Sequence, residues 1–137
     1  MKVLYKTSAT ATGGRSGVSK LDDGSFEVNL VPPGSKKEGI NPEQLFALGY
    51  SACFNNAIQL IAQRMKLAPS AFTTTVEVGL AQIESGGYGL DVDLHANIAG
   101  LSEPEAQSLL NAAHKVCPYS NALHGNGDVR LHLNLST

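Results

Sequence analysis

The chain has 137 residues, of which 42% are apolar and 16% are charged, and it carries a net charge of -2 and two cysteines. This length and composition predict one globular domain over residues 1–137 and exclude a disordered chain. The balance of charge excludes the basic footprint of a nucleic-acid-binding protein, and no apolar run approaches the roughly 20 residues that predict a membrane span.

The first residues, Met1 to Tyr5, lead directly into a polar, strand-like pattern without the features of a signal peptide. We therefore expect a cytoplasmic protein. In that reducing compartment, two cysteines are more typical of free, metal-bound or redox-active thiols than of a permanent disulfide.

Three short strands are predicted in the first part of the chain. Alternation indicates a strand over residues 3–12, followed by a Gly13-Gly14 turn and a returning strand over residues 15–21. An Asp-Asp-Gly turn then leads to a third strand, in which Phe26, Val28 and Leu30 alternate.

A long helix is predicted from Asn41 to Met65. Asn41 suits the N-cap, Pro42 suits the first helical position, and Glu43 favours the positive end of the helix dipole. Nearly every face carries apolar or small side chains, so we expect the helix to be buried on most sides. Cys53 lies at its middle.

Two further strands, over residues 72–83 and 88–98, are joined by a glycine-rich turn. Ser102 then caps a second helix that runs to about residue 116, residues 119–123 form a short helical turn, and residues 129–135 alternate as a last strand. The order βββ-α-ββ-α-β predicts an α+β fold, with mostly antiparallel sheets wrapped around a long buried central helix. Because that helix needs more cover than one chain gives, we also expect a homodimer.

Cys53 and Cys117 admit two interpretations. Both could be buried small hydrophobes, and a thiol in the middle of a buried helix has a raised pKa and is inert unless a cation is brought to it. Cys117 instead precedes Pro118 at a predicted helix start, which favours a thiolate. The two residues are 64 positions apart, so only the fold can bring them together.

Other kinds of site have weaker support. His114 and His124 flank Cys117, but the spacing is not that of a zinc site, so we expect no metal and no cofactor. A cysteine–histidine hydrolase remains an alternative. His95 and His132 occupy polar strand positions and are expected to face solvent. Arg15, one of three arginines, is either a surface residue beside a turn or the cation that Cys53 needs.

Four blocks of sequence resemble the organic hydroperoxide resistance proteins, one branch of the family shared with the osmotically inducible protein C group. The resemblance covers the whole chain in order. The blocks are Gly13-Gly14-Arg15-Ser16-Gly17, Asn41-Pro42-Glu43-Gln44-Leu45-Phe46-Ala47, Gly49-Tyr50-Ser51-Ala52-Cys53-Phe54 and Val116-Cys117-Pro118-Tyr119-Ser120-Asn121-Ala122.

This resemblance implies a thiol-dependent peroxidase that reduces organic hydroperoxides to alcohols. By analogy with the family, Cys53 is the peroxidatic cysteine and Cys117 the resolving cysteine, while Arg15 stabilises the thiolate and Glu43 orients Arg15. The resemblance further implies an intertwined homodimer that is recharged by a dithiol, such as a lipoylated protein. The alternative function is a non-catalytic dimeric binding protein with structural cysteines.

Helix geometry constrains how Glu43 can act on Cys53. Ten residues on one helix correspond to a rise of about 15 Å and a difference in direction of about 80°. Either Arg15 spans this gap, or Glu43 comes from the partner chain. We favour the partner chain, because the burial of the helix already predicts a dimer.

Overall fold

The computed structural model describes residues 1–127 and 129–136. It contains two compact units, Met1–Leu45 and Phe46–Thr137. The elements are β1 (Ala9–Thr12), β2 (Val18–Leu21), β3 (Glu27–Asn29), α1 (Pro42–Arg64), β4 (Ala71–Gln82), β5 (Tyr88–Ala99), α2 (Glu103–Val116), α3 (Pro118–Leu123) and β6 (Val129–Ser136). The α+β class is confirmed, and the short turn predicted after Cys117 is a separate helix, α3. That residues 1–137 form a single domain stays a prediction.

The first unit holds an antiparallel sheet in the order β1-β2-β3. Its strands are shorter than predicted, and Arg15 lies in the turn before β2 rather than within a strand. The turn is tight because the Gly17 amide donates to the Gly14 carbonyl at 3.0 Å, and Gly13 adopts a φ of +83°. A Cβ at Gly17 would clash with the Thr12 carbonyl oxygen, so the alternation does not continue through this segment.

The start of α1 is confirmed. The Gln44 amide donates to Asn41 Oδ1 at 2.8 Å, and the Asn41 amide donates to Gln44 Oε1 at 2.9 Å. These two bonds satisfy amides that the helix itself leaves free, as in a capping box. Glu43 is thereby fixed in the first turn of the helix.

One chain by itself buries only one face of α1, so burial of the helix on most sides stays a prediction for the homodimer. Its buried residues lie on one face, and Leu48 on another face is 61% exposed. By length and composition α1 also meets the criterion for a membrane span, contrary to the expectation from sequence, although core helices of folded proteins meet it too. Its buried residues are Tyr50, Phe54, Ala57, Ile58, Ile61 and Ala62.

The second unit is built on a sheet in the order β4-β5-β6. β4 and β5 form the predicted antiparallel hairpin, whereas β6 runs parallel to β5, because α2 and α3 carry the chain back before it enters the sheet. Inward-facing residues of β5, such as Leu94 and Ile98, belong to one hydrophobic core with Phe54 of α1 and Leu109 of α2.

The outer face of this sheet carries the two strand histidines, as predicted. Asp93 accepts hydrogen bonds from Arg130 Nε at 2.7 Å and Nη2 at 2.6 Å, and from His132 at 2.8 Å. The hydrogen bonds from Arg130, which have the largest effect, and from His132 hold the pKa of Asp93 well below its usual range. The His95 ring stacks on that of His132 with centroids 4.5 Å apart, and its Nε2 lies 2.6 Å from a Glu77 oxygen.

Gly49 allows close contact between α1 and Tyr119. A Cβ at this position would overlap the Tyr119 hydroxyl and lie 3.0 Å from Cζ of the same ring. We expect Gly49→Ala to lower the free energy of unfolding by about 1–2 kcal/mol, because overpacking costs up to ~3 kcal/mol and the better helix propensity of alanine returns ~1. Urea unfolding measures the change.

Gly79→Ala in β4 is the matched control. Its added Cβ would have its nearest neighbour at 3.6 Å, an ordinary van der Waals contact. We therefore expect a change within about 0.5 kcal/mol. Equal stability of Gly49→Ala and Gly79→Ala would contradict the packing role of Gly49.

Candidate active site

Arg15 and Glu43 form a bidentate ion pair within the first unit. Arg15 Nη1 donates to Glu43 Oε2 at 2.8 Å, and Nη2 donates to Oε1 at 2.6 Å. The Glu43 side chain is 13% exposed and that of Arg15 is 48% exposed, so the carboxylate is shielded while the guanidinium remains accessible. Both residues belong to the same chain. That this pair reaches Cys53 from the partner chain stays a prediction.

The pair also sets the protonation of both groups. The hydrogen bonds from Arg15 lower the pKa of Glu43, and the same bonds raise the pKa of Arg15. A carboxylate with a depressed pKa contributes stability above its unfolded-state pKa, and this contribution is lost as the pH falls through the folded-state value. The pair is therefore fully charged at neutral pH.

Cys53 is a free, half-buried thiol in the middle of α1. Burial raises its pKa, and the charge and the side-chain hydrogen bonding of Cys117 raise it further. The backbone amide of Tyr119, in the first turn of α3, donates to the sulfur and opposes this shift. The helix centre itself supplies no such donor, because its amides are used within the helix. Within its own unit, Cys53 is therefore poorly ionised.

Cys117 is a free and fully buried thiol where two helices meet. It is the C-cap of α2, and its amide donates to the Ala113 carbonyl at 3.0 Å. It is also the N-cap of α3, which confirms the predicted helix start. The fold thus brings a buried thiol beside the half-exposed Cys53, which is 64 positions earlier in the chain.

A chain of hydrogen bonds starts in the core that also holds Cys117. The Tyr50 hydroxyl is 2.6 Å from Ser120 Oγ, and Ser120 Oγ is 2.9 Å from His114 Nδ1. Tyr50 is fully buried and Ser120 is 4% exposed. Burial is the main cause that raises the pKa of Tyr50 and lowers that of His114, so both groups are neutral at pH 7.

Comparison with known proteins supports the resemblance seen in the sequence. The family profile of the OsmC-like proteins matches residues 34–132. An organic hydroperoxide resistance protein from Xanthomonas axonopodis pv. citri is 45% identical, with 96% of each chain covered. The organic hydroperoxide resistance protein OhrB of Bacillus subtilis is 43% identical, with 95% of this chain and 98% of the relative covered.

The chain belongs to the organic hydroperoxide resistance branch of the OsmC-like family.

Solved structures of the family have the same fold. A crystal structure of the organic hydroperoxide resistance protein from Elizabethkingia anophelis matches with a TM-score of 0.89 and 48% identity, covering 100% of this chain and 99% of that one. A Vibrio cholerae member with captopril bound in one of its active sites matches with a TM-score of 0.91 and 45% identity, covering 98% and 94% of the two chains.

The four family positions form two separate pairs, each within one unit: Arg15 with Glu43 and Cys53 with Cys117. The roles carried over to them from the family stay predictions at this point. Among residues 1–127 and 129–136, no group of three or more histidine, cysteine or acidic side chains is arranged to hold a metal ion.

Sequence reasoning missed the chain formed by Tyr50, Ser120 and His114. A signal was present, because each of these residues lies three positions from a cysteine: Tyr50 before Cys53, His114 before Cys117 and Ser120 after it. Residues three apart on a helix share a face. A polar side chain at each of these positions therefore indicates a polar neighbour for the thiols.

Proposed function

We propose that this protein is a thiol-dependent peroxidase that reduces organic hydroperoxides, alkyl or lipid, to alcohols. The observation that carries the proposal is the neighbouring pair of free thiols, Cys53 half-buried and Cys117 fully buried. An accessible thiol beside a protected one is the arrangement that a peroxidatic and a resolving cysteine require. The names of the full-length relatives support organic hydroperoxides as the substrate class.

The reaction proceeds in two steps. The Cys53 thiolate attacks the O–O bond of the hydroperoxide, so that a Cys53 sulfenic acid forms and an alkoxide leaves, which takes up a proton to become the alcohol. The Cys117 sulfur then attacks the Cys53 sulfur. This second step forms the Cys53–Cys117 disulfide and releases the sulfenic oxygen, with two protons, as water.

Arg15 is proposed to stabilise the Cys53 thiolate. Burial and Cys117 raise the pKa of Cys53, so ionisation needs a cation. The Arg15 guanidinium is always charged, and its bidentate bond to Glu43 fixes its direction. We propose that this arrangement acts in a homodimer. The exposure of apolar residues on α1, such as Leu48 and Leu60, supports a second chain as their cover.

A dithiol, such as a lipoylated protein, is proposed to reopen the disulfide by thiol exchange in the reducing cytosol. No metal or cofactor takes part in these steps. Phe54 lies in the hydrophobic core, and Phe46 and Cys53 both pack against that core. Such apolar surroundings favour an alkyl or lipid hydroperoxide over hydrogen peroxide.

Thiol titration separates this function from a non-catalytic binding protein. Fully reduced protein is treated with one equivalent of cumene hydroperoxide, and the remaining free thiols are counted. The peroxidase is expected to lose both thiols of each chain. Retention of both thiols would contradict the proposal and favour a binding protein with structural cysteines.

Cys117→Ser is expected to perform one turnover and then stop. Without the resolving thiol, the sulfenic acid on Cys53 has no partner in the chain, and it accumulates. Trapping with dimedone followed by mass spectrometry should find the adduct on the peptide that holds Cys53. Sustained turnover of this variant with a dithiol reductant would count against a resolving role for Cys117.

A further inference from the structure

The resolving step raises a question about a proton. Cys117 is fully buried, so its thiol proton has no direct contact with bulk water. Attack on an oxidised Cys53 requires the thiolate, since the thiol is a poor nucleophile. Hydrogen-bonding groups inside the core therefore offer this proton a route out.

The chain formed by Tyr50, Ser120 and His114 leads from the core that holds Cys117 to a pocket. Tyr50 and Cys117 are both fully buried in one hydrophobic core, and Cys117 caps the helix α3, whose third residue is Ser120. Burial first, and then charge on Cys117 and Cys53, raises the pKa of Tyr50. Ser120 Oγ stands between Tyr50 and His114 with both distances at or below 2.9 Å. His114 and Ser120 line a pocket of about 310 Å³, together with Leu123, His124, Gly125, Gly127 and Val129.

We propose that Tyr50, Ser120 and His114 form a proton relay that carries the Cys117 thiol proton to the His114 pocket during disulfide formation. This inference rests on the proposed function and assigns new roles within it. All three side chains contain a group that can accept one proton and release another, which a relay requires.

The Cys117 thiol proton passes to the Tyr50 oxygen, the Tyr50 proton to Ser120, and the Ser120 proton to His114 Nδ1. The Cys117 sulfur forms the S–S bond, the S–O bond of the Cys53 sulfenic acid breaks, and the leaving hydroxide takes a proton from solvent on the half-exposed side of Cys53. His114 then returns one proton to solvent through the pocket, so no proton is gained or lost.

The surroundings of His114 suit this role. Burial, followed by the positive charge of His124, lowers the pKa of His114, so the ring is neutral and able to accept a proton at pH 7. The titratable groups near it are Tyr50 from α1, Cys117 at the joint of α2 and α3, and His124 after α3. The Phe54 ring, with its centroid 6.5 Å from that of His114, covers another side.

The test follows Cys117 without using a hydroperoxide. Methyl methanethiosulfonate first converts the half-exposed Cys53 to a methyl disulfide. Cys117 then attacks this disulfide and displaces methanethiolate. Mass spectrometry measures the rate of this displacement as the loss of the methylthio group from the protein. We expect Tyr50→Phe, Ser120→Ala and His114→Gln each to slow this displacement by about 100-fold, the lower range for general acid–base catalysis. Tyr88→Phe and His95→Gln, both outside the relay, are the matched controls and should react at the wild-type rate.

Two readouts distinguish proton transfer from a merely structural role. In the wild type the rate should fall as His114 becomes protonated at low pH, and His114→Gln should lose this dependence. Added imidazole, which the vacated pocket can admit, should restore the rate of His114→Ala. Tyr50→Phe and His114→Gln keep the shape of the replaced side chains, so they decide the outcome even if Ser120→Ala does not fold.

Wild-type displacement rates in Tyr50→Phe and His114→Gln would overturn the relay. Slower displacement with an unchanged pH profile and no rescue by imidazole would overturn it as well. A third outcome separates the relay from the proposed function. If the relay variants slow the displacement as expected but the wild type does not react with organic hydroperoxides, the proposed function is overturned and the relay is retained.

Discussion

Cys53→Ser is expected to lower the consumption of cumene hydroperoxide by at least ~1,000-fold, since removing a nucleophile costs most of the chemical rate. A serine hydroxyl in the same half-buried position cannot ionise near neutral pH, and oxygen is not oxidised by a peroxide as sulfur is. Consumption is measured with the dithiol reductant in excess, so that the chemical step limits the rate.

Circular dichroism and urea unfolding should show that Cys53→Ser folds normally, because serine is close to cysteine in size and the position is only half-buried. Cys117→Ser serves as the comparison, since it makes the same replacement at the other cysteine and retains one turnover. If Cys53→Ser still turned over hydroperoxide at a rate similar to the wild type, the nucleophile would have to be sought elsewhere.

Arg15→Ala is expected to slow the reaction of Cys53 with organic hydroperoxide by about 100-fold or more, in the range found when one preorganised electrostatic donor is removed. The reason is that burial and Cys117 already raise the pKa of Cys53, and the variant has no cation to offset them. Alkylation of Cys53 by iodoacetamide across pH measures the same effect directly, as a rise in its pKa.

Arg130→Ala is the matched control for Arg15→Ala. Arg130 also forms a bidentate bond to a carboxylate, Asp93, but it lies on the outer face of the β4-β5-β6 sheet. We expect the peroxidase rate of Arg130→Ala to equal that of the wild type. Arg15→Lys should fall between wild type and Arg15→Ala, because lysine keeps the charge but not the two-pronged bond to Glu43. An unchanged alkylation profile in Arg15→Ala would remove this arginine from the mechanism.

Local signals in the sequence predicted the elements that local chemistry determines. Asn41 and Pro42 mark the start of α1, and Ser102 with Glu105 forms the capping box at the start of α2. The β4–β5 hairpin follows from alternation and a glycine-rich turn. These features depend on a few neighbouring residues, so the sequence alone is sufficient to find them.

Features that depend on distant parts of the chain were harder to predict. The parallel pairing of β6 with β5 follows from the path of α2 and α3, and alternation is the same in parallel and antiparallel strands. Apolar composition also does not show which faces of α1 the chain covers by itself and which are left for a second chain. Leu48 looks like a core residue in the sequence, yet it is 61% exposed.

In the candidate site, too, single residues could be predicted from the sequence, whereas contacts between distant residues could not. The residues themselves made Cys53, Cys117 and Arg15 candidates, and the resemblance supplied their roles together with that of Glu43. The geometry of the bond between Arg15 and Glu43 required the structure, because 28 positions separate them. The same limit applies to Ser120, which joins Tyr50 across 70 positions. Tyr50, His114 and Ser120 each lie three positions from a cysteine in the sequence. Only the fold shows that these three residues form one chain of hydrogen bonds.

The central claim is that Cys53 and Cys117 together reduce one organic hydroperoxide for each disulfide they form. Its most direct test treats reduced protein with one equivalent of cumene hydroperoxide without oxygen, quantifies the alcohol and maps the disulfide by mass spectrometry. We expect one alcohol per chain and a disulfide that joins the peptides of Cys53 and Cys117. Unconsumed hydroperoxide with both thiols intact, or alcohol formation without that disulfide, would contradict it.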